Sequence, residues 1–204
     1  MLMHELSEHY VQITQIGGMT NRNFKVTWSN ESYVLRIPGN GTEGMIVREN
    51  EDYNSRLAYQ LKITPEIFYL DVQSGVKLVR YIEGAETLNN ATIQYMNHIE
   101  KVIMVLRTLH TSGVRFNNDF NVFKEIEIYE ELLGRVKGWM YEGYSELRPS
   151  IFALADRLNQ LGVTLTPCHN DLVAENFVKG LDGKIHLIDW EYSGMNDPLW
   201  DLAA

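Results

Sequence analysis

The chain of 204 residues is 45% hydrophobic and 22% charged, which is the composition of a globular protein with a hydrophobic core. Its net charge of −9 argues against a nucleic-acid partner, and its single cysteine, Cys168, excludes a disulfide within the chain. The sequence begins without a basic segment and apolar run, and it contains no stretch of about 18 apolar residues, so we expect no membrane partner. These features together predict a cytoplasmic protein.

Three strands are predicted at residues 10–16, 24–28 and 33–37, where apolar and polar side chains alternate, and a turn at 29–31 joins the last two. The loop at 17–23 connects the first two strands and contains two consecutive glycines. Such a loop lets backbone amides approach phosphate oxygens, although a tight hairpin turn explains the same residues.

A helix is predicted at residues 44–62, because apolar side chains recur there at helical spacing. Glu49 shares their face, and a carboxylate on an apolar face needs a cation. Arg36, at the end of the third strand, is the expected partner; a solvated Glu49 and a structural Arg36 are the alternative. Two further strands are predicted at residues 65–71 and 76–82.

The pattern becomes helical after about residue 90. Amphipathic helices are predicted at residues 99–109, 122–140 and 151–161, and their apolar stripes should form the core of this part. His110 ends the first of them, where a packed or capping histidine is expected. Cys168 is interpreted as a small buried side chain.

Three oxygen donors are predicted to meet around one hairpin near the end of the sequence. Residues 176–179 and 184–188 are typical of short strands, and turn residues separate them. A loop of two or four residues would place Asn176 directly opposite Asp189 or diagonal to it. Asp171 lies in the loop before the first strand. Carboxylate and amide oxygens are suitable ligands for Mg²⁺.

The spacing of His169, Asp171, Asn176 and Asp189 resembles the catalytic loop and metal site of the protein-kinase-like phosphotransferases. Within them the chain resembles the choline kinase and aminoglycoside phosphotransferase superfamily. The strings at 17–24, 35–39 and 188–198 are most similar to bacterial choline kinases of the cell-surface phosphorylcholine pathway.

The resemblance implies an α+β fold with two lobes. Residues 1–82 would form a nucleotide-binding lobe with an antiparallel sheet and one helix, and residues 83–204 a mainly helical catalytic lobe. Because members of the family continue with further helices, we expect the sequence to be truncated at its C-terminus and the second lobe to be incomplete.

The resemblance also implies the roles of individual residues, with ATP and Mg²⁺ as cofactors. Asp171 would take the proton of the substrate hydroxyl, Arg36 braced by Glu49 would position phosphates, and His169 would be structural. Asn176 and Asp189 would hold the metal. The implied nucleotide contacts are Gly17, Gly18, Met19, Thr20, Asn21, Asn23, Arg36 and, at the hinge after the fifth strand, Arg80, Tyr81 and Ile82.

A small cationic alcohol, with choline favoured, is the acceptor that the resemblance implies. A quaternary ammonium needs aromatic faces and carboxylates. Glu191, Tyr192, Trp190 and Trp200 could form part of such a cage, with packing between the lobes as the alternative. Thiamine, ethanolamine and aminoglycosides remain possible acceptors. Three other classes remain as alternatives: a non-catalytic nucleotide-binding pseudokinase, a protein kinase, and a metal hydrolase that uses His169 and Asp171. Oligomeric state is left open.

Overall fold

A five-stranded antiparallel sheet forms the N-terminal part of the protein, in a computed structural model that describes residues 11–18, 21–39, 41 and 44–203 except the side chain of residue 159. The strands lie in the order β1-β2-β3-β5-β4. Ser29 and Asn30 both have positive φ, as the tight turn between β2 and β3 requires. The predicted strands are confirmed, with the bounds β1 Gln12–Gln15, β2 Arg22–Trp28, β3 Glu31–Ile37, β4 Ile67–Leu70 and β5 Lys77–Arg80.

One helix, α1 (Arg48–Gln60), packs beside this sheet. It begins four residues later than predicted, since Gly44 adopts a left-handed turn conformation with φ +85°. Its buried face is mostly polar, whereas Tyr53 on the predicted apolar face is 48% exposed. The face predicted to be buried is therefore wrong at Glu49 and Tyr53, which are exposed, whereas Leu57 and Leu61 of that face do pack against the core. Its buried residues are Arg48, Glu51, Asn54, Ser55 and Ala58.

The rest of the described chain is mainly helical. Its helices are α2 (Met96–His110), α3 (Val122–Arg135), α4 (Tyr144–Gln160) and α5 (Pro198–Ala203). The α2 helix buries Val105, Leu106 and Leu109. The side-chain amide oxygen of Asn121 caps α3 by accepting from the backbone amides of Phe123 and Lys124. The α3 helix ends five residues earlier than predicted, just before Lys137 adopts positive φ.

Two small sheets complete the structure: β6 (Glu86–Thr87), β8 (Phe177–Lys179) and β9 (Ile185–Leu187) form one, and β7 (Thr166–Cys168) with β10 (Gly194–Asn196) forms the other. The β8–β9 hairpin has a three-residue loop, because Gly180 pairs with Lys184. Asn176 therefore lies opposite Ile188, and the predicted register is wrong by one residue.

The hydrophobic core lies under the β8–β9 hairpin and against α2, and it includes Leu88, Leu109, Phe177, Leu187 and Trp190. The fold is the predicted α+β kinase-like fold. The division into lobes at residue 82 stays a prediction, with β1 to β5 and α1 before it and the other elements after it.

None of the helices in the described part of the chain is long and apolar enough to cross a lipid bilayer.

Candidate active site

The loop after β7 is held from below by Asp201 of α5. One carboxylate oxygen of Asp201 accepts from the His169 amide at 3.0 Å, and the other accepts from the Asn170 amide at 2.8 Å. His110 Nε2 lies 2.8 Å from the first of these oxygens. Because Asn170 has φ +68°, the loop is sharply bent, and the buried carboxylate of Asp201 fixes that bend.

The His169 ring is a structural group. It is buried against Trp190, with ring centroids 4.9 Å apart, and its Nε2 lies 2.9 Å from the Ile188 carbonyl. Burial lowers the pKa of His169, so the ring is neutral and Nε2 carries the proton that it donates. These contacts tie the loop to the hairpin and leave no proton transfer to the imidazole.

Asp171 and Asn176 are joined across the loop. Asn176 Nδ2 donates to the Asp171 carbonyl at 2.8 Å and to its Oδ2 at 3.2 Å. Donation through nitrogen makes the amide oxygen of Asn176 the atom that could ligate a metal. The Asp171 side chain is thereby oriented by a neutral amide.

Asp189 follows β9 in a left-handed conformation, φ +68°, which turns the chain out of the hairpin. Its carboxylate accepts from Arg36 Nη1 at 3.1 Å. Burial and the neighbouring Glu191 raise the pKa of Asp189 to about 6 in spite of Arg36. A carboxylate whose pKa is raised in this way, one residue after the Ile188 that pairs with Asn176, fits a divalent cation.

Six charged side chains, that of Asp189 among them, form what we call the ion cluster: Arg36, Arg48, Glu51, Lys77, Asp189 and Glu191. Glu51, which is fully buried, contacts Arg36 at 2.6 Å, Arg48 at 2.8 Å and Lys77 at 3.1 Å. The three cations balance the three carboxylates, so the cluster is neutral as a whole.

Burial works to raise the pKa of Glu51, but Lys77 and Arg36 outweigh that effect and lower this pKa to about 2. Burial also lowers the pKa of Lys77, against the pull of Glu51. Glu51 is therefore an ionised carboxylate that holds the three cations of the ion cluster together.

The predicted contact between Arg36 and Glu49 is wrong. Glu49 is exposed, and Glu51, two residues later on α1, contacts Arg36 instead. Two residues correspond to about 200° around a helix, so these carboxylates lie on opposite faces. The role predicted for Glu49 thus falls to Glu51.

The loop between β1 and β2 is closed by backbone hydrogen bonds between Ile16 and Asn23 and between Asn23 and Gly17. Gly18 has φ +124°, and a Cβ there would lie 1.9 Å from the Asn21 carbonyl oxygen, so only glycine fits. Asn21 Nδ2 donates to Glu191 Oε1 at 2.8 Å, which ties this loop to the ion cluster. The predicted contacts Met19 and Thr20 lie outside the described residues.

The predicted hinge residues follow β5. The Arg80 guanidinium donates to Glu66 at 3.1 Å and lies over Phe68, so its side chain is engaged with β4 and its neighbour. The Tyr81 amide donates to the Ser32 carbonyl, and the Ile82 carbonyl accepts from Ala85. Lys25 lies over the Tyr81 ring, 3.9 Å from its centroid. Nucleotide contacts here stay a prediction.

The predicted aromatic cage is only partly possible. Trp190 is 1% exposed and packs edge-on against Phe116, so its prediction as a substrate contact is wrong. Its indole nitrogen donates to the Thr64 hydroxyl and the Leu187 carbonyl, and these hydrogen bonds make burial of the ring favourable. The Glu191 carboxylate is directed at Arg36 and Arg48, which contradicts its prediction as a counter-ion for a substrate.

Tyr192 and Trp200 remain candidates for that cage. The Tyr192 hydroxyl lies 3.2 Å from that of Tyr129 on α3, and Trp200 packs on Phe120 while 39% exposed.

Sequence reasoning missed Glu51, Lys77 and Asp201. Lys77 precedes the apolar residues of β5, which signals a buried partner, but the sequence around Asp201 carried no such signal. Cys168 is buried as predicted, and burial raises the pKa of its thiol to about 12, so it is no nucleophile.

Comparison with known proteins places this geometry in a family. The model of the choline/ethanolamine kinase family matches residues 12–204. Protein LicA of Haemophilus influenzae is 39% identical over 205 residues, and the match covers 100% of this chain and 60% of that protein. The chain thus spans less than two thirds of the length of this relative.

Two solved structures are also similar. Choline kinase LicA from Streptococcus pneumoniae matches with a TM-score of 0.84 and 40% identity, over 95% of this chain and 68% of that one. LicA in complex with AMP matches with the same TM-score and identity, over 97% and 68%. By its sequence, its fold and the residues around its β8–β9 hairpin, the chain belongs to the choline/ethanolamine kinase family.

Proposed function

We propose that the protein is an ATP-dependent kinase that transfers the γ-phosphoryl group to the hydroxyl of a small cationic alcohol, with choline as the favoured acceptor. The observation that carries the proposal is the arrangement of Asp171, Asn176 and Asp189 at one end of the β8–β9 hairpin, with Arg36 bonded to Asp189. Membership of the choline/ethanolamine kinase family supports the class of acceptor.

In the proposed reaction the substrate oxygen attacks the γ-phosphorus, the bond to the β–γ bridging oxygen breaks, and ADP leaves. Asp171 accepts the hydrogen bond of the attacking hydroxyl and takes its proton late in the transfer. Its orientation comes from Asn176, and the position of the whole loop comes from Asp201 through two backbone amides. The contribution of these residues is positioning.

Asn176 and Asp189 would hold Mg²⁺, which when bound neutralises charge on the phosphates. Arg36 is the phosphate-facing cation of this proposal. Its Nε is buried and has no hydrogen-bond partner among the described residues, so the guanidinium has a donor to offer once it turns toward a ligand. The amides of the 17–23 loop would contact the same phosphates.

Tyr192 and Trp200 are the proposed aromatic contacts of the acceptor. Tyr129 on α3 adds a second ring beside Tyr192. Glu125, which is half-buried and whose pKa is raised by burial, belongs to the same helix. Aromatic faces suit the trimethylammonium of choline, whereas ethanolamine would also donate hydrogen bonds to hydroxyls or carboxylates.

The proposal is tested by ADP release from MgATP with choline, ethanolamine, thiamine and kanamycin in parallel, with Asp171→Asn as the inactive control. We expect the highest kcat/KM with choline, and loss of turnover in EDTA that Mg²⁺ restores. Turnover with kanamycin alone would overturn the acceptor, and absence of turnover with every alcohol would overturn the kinase. Restoration by Zn²⁺ but not Mg²⁺ would favour the metal hydrolase.

A further inference from the structure

Asn54 of α1 makes a set of hydrogen bonds that the proposed chemistry does not use. Its side chain is fully buried, and its Oδ1 accepts from the Asn117 amide at 2.9 Å. Its Nδ2 donates to Asn118 Oδ1 at 3.0 Å and to the carbonyl and hydroxyl of Ser193, each at 3.1 Å. A backbone amide only donates and a carbonyl only accepts, so these partners fix the orientation of the Asn54 amide.

The partners of Asn54 belong to residues 190–193, which we call the post-hairpin turn, and to the segment before α3. The Ser193 hydroxyl donates to the Trp190 carbonyl at 2.7 Å, which closes the turn on itself. Asn118 Nδ2 also donates to the Ser193 carbonyl, at 3.1 Å. Every neighbour of the Asn54 amide is therefore itself held in place.

Three connections join α1, β3 and the chain after β9 in a closed triangle beside Asp189. The α1 helix is joined to β3 through Glu51 and Arg36. The β3 strand is joined through Arg36 to Asp189, the residue just before the post-hairpin turn. The third side runs from the turn back to α1 through two links, the ion pair of Glu191 with Arg48 at 3.2 Å and the hydrogen bonds of Asn54, which lies one helical turn after Glu51 on the same face.

The three sides differ in how they respond to ligands. A metal ion would draw Asp189, and phosphate oxygens would draw Arg36, so the three ionic contacts of Arg36, to Glu51, Asp189 and Glu191, compete with the nucleotide. The Asn54 bonds are neutral, buried and away from those atoms. They are the neutral link between α1 and the turn, beside the ionic link from Glu191 to Arg48, and they stay closed when the ionic contacts are exchanged.

We infer that Asn54 is a positioning residue: it fastens α1 to the post-hairpin turn, and so keeps Arg36 where nucleotide phosphates would bind. The inference rests on the proposed function. It concerns nucleotide use alone, since Asn54 lies on the α1 side of the turn and forms no hydrogen bond with the side chains of the proposed acceptor residues Tyr192 and Trp200 among the described residues.

The test compares Asn54→Ala with Ser55→Ala in the full chain. Ser55 is also fully buried on α1, but its hydroxyl bonds only within the helix, to the Asp52 carbonyl among the described residues. Urea unfolding gives the folded fraction of each variant, and steady-state kinetics give KM for ATP and for choline separately.

We expect Asn54→Ala to lower kcat/KM for ATP at least about tenfold relative to Ser55→Ala, because it leaves several buried donors and acceptors unpaired at the turn. KM for ATP should rise while KM for choline stays within about twofold. Partial unfolding alone would lower kcat and leave both KM values unchanged, so that pattern, or equal kinetics in the two variants, would overturn the inference.

A second variant keeps the test decisive if Asn54→Ala does not fold. Asn118→Ala removes one partner and leaves the bonds of Asn54 to Ser193 and Asn117, and it should raise KM for ATP about threefold. An unchanged KM for ATP in Asn118→Ala would overturn the inference.

Failure of the proposed function gives a different result. If the wild-type chain turns over no alcohol, calorimetric titration with MgATP replaces the kinetics: affinity at least about tenfold weaker in Asn54→Ala than in Ser55→Ala supports the inference, and equal affinity overturns it. A wild-type chain that binds no MgATP overturns both.

Discussion

Two carboxylates of the candidate active site and its ion cluster are held in opposite ways. Glu51 is fully buried and touches three cations, so its charge is satisfied within the protein. Asp171 is half-buried and is oriented by the neutral amide of Asn176. A charge that the fold neutralises serves structure, whereas a charge left without a cation is available to a ligand. The first should therefore control stability and the second turnover.

Replacement of Asp171 by Asn is expected to have the largest effect. The isosteric amide keeps the size of the side chain and the contact with Asn176, but it takes no proton, so kcat should fall about 10²- to 10⁴-fold. The urea midpoint and MgATP affinity should stay close to those of the wild type. A variant with normal turnover, or one that loses stability instead, would erase the contrast between the two carboxylates.

Replacement of Glu51 by Ala should instead destabilise the fold. It leaves Arg36, Arg48 and Lys77 buried without their shared anion, which costs about 3–5 kcal/mol in the free energy of unfolding. The matched control is Glu49→Ala, two residues away on the exposed face of α1, with an expected change within about 0.5 kcal/mol. Urea unfolding of both variants measures the difference. Equal effects would mean that Glu51 is not the anion that organises the cluster.

The contrast between Glu49 and Glu51 also shows where sequence patterns lose their power. Alternation in β2 and β3 and the spacing of Asp171, Asn176 and Asp189 are local, and they predicted those strands and the residues around the hairpin. Four of the five buried residues of α1 are Arg48, Glu51, Asn54 and Ser55, residue types that a helical pattern assigns to solvent.

Their burial is favourable only because distant segments supply matching groups. Lys77 comes from β5, and Ser193 from the post-hairpin turn, 139 residues from Asn54. No local pattern contains that information. The predicted hairpin register is wrong because of the length of the loop between Gly180 and Lys184. One residue more or less in that loop changes which residues of β9 lie on the same face as Asn176.

Acid titration should reveal the same cluster. The pKa of Glu51 is lowered from an ordinary value of 4.5 to about 2, so the native state keeps the carboxylate ionised where the unfolded state binds a proton. The stability contributed by Glu51 is fully present above pH 4.5 and is lost as pH falls toward 2, a change of about 3 kcal/mol.

Urea unfolding between pH 6 and pH 2 measures this loss, and Glu51→Gln is the control because it has no carboxylate to protonate. Asp189, whose pKa is raised, contributes in the opposite direction but is present in both proteins. The pH dependence of the wild type minus that of Glu51→Gln is therefore the contribution of the Glu51 carboxylate, including its effect on the pKa of Asp189. Parallel curves would show that its charge is not stabilised by the fold.

The ion pair between α3 and α4 supplies the smallest effect and the limiting case. Arg148 donates to both oxygens of Glu130, at 2.5 and 2.8 Å, and Tyr144 donates to the same carboxylate. The pKa of Glu130 is lowered to about 2 by Arg148 and then by Tyr144. This shift resembles that of Glu51 in size, but the pair lies at the surface, where water and salt screen it.

Arg148→Ala should therefore lower the urea midpoint far less than Glu51→Ala does, and the difference from the wild type should shrink as salt approaches about 1 M, where charges are screened beyond roughly 3 Å. Arg157→Ala is the matched control, because it removes the same charge from α4 at a residue with no ion pair in the described part of the chain. A loss for Arg148→Ala that equals that of Glu51→Ala and persists in salt would mean that burial is not what separates structural charges from exposed ones in this protein. The assignment of Asp171 to chemistry would then rest on its turnover alone.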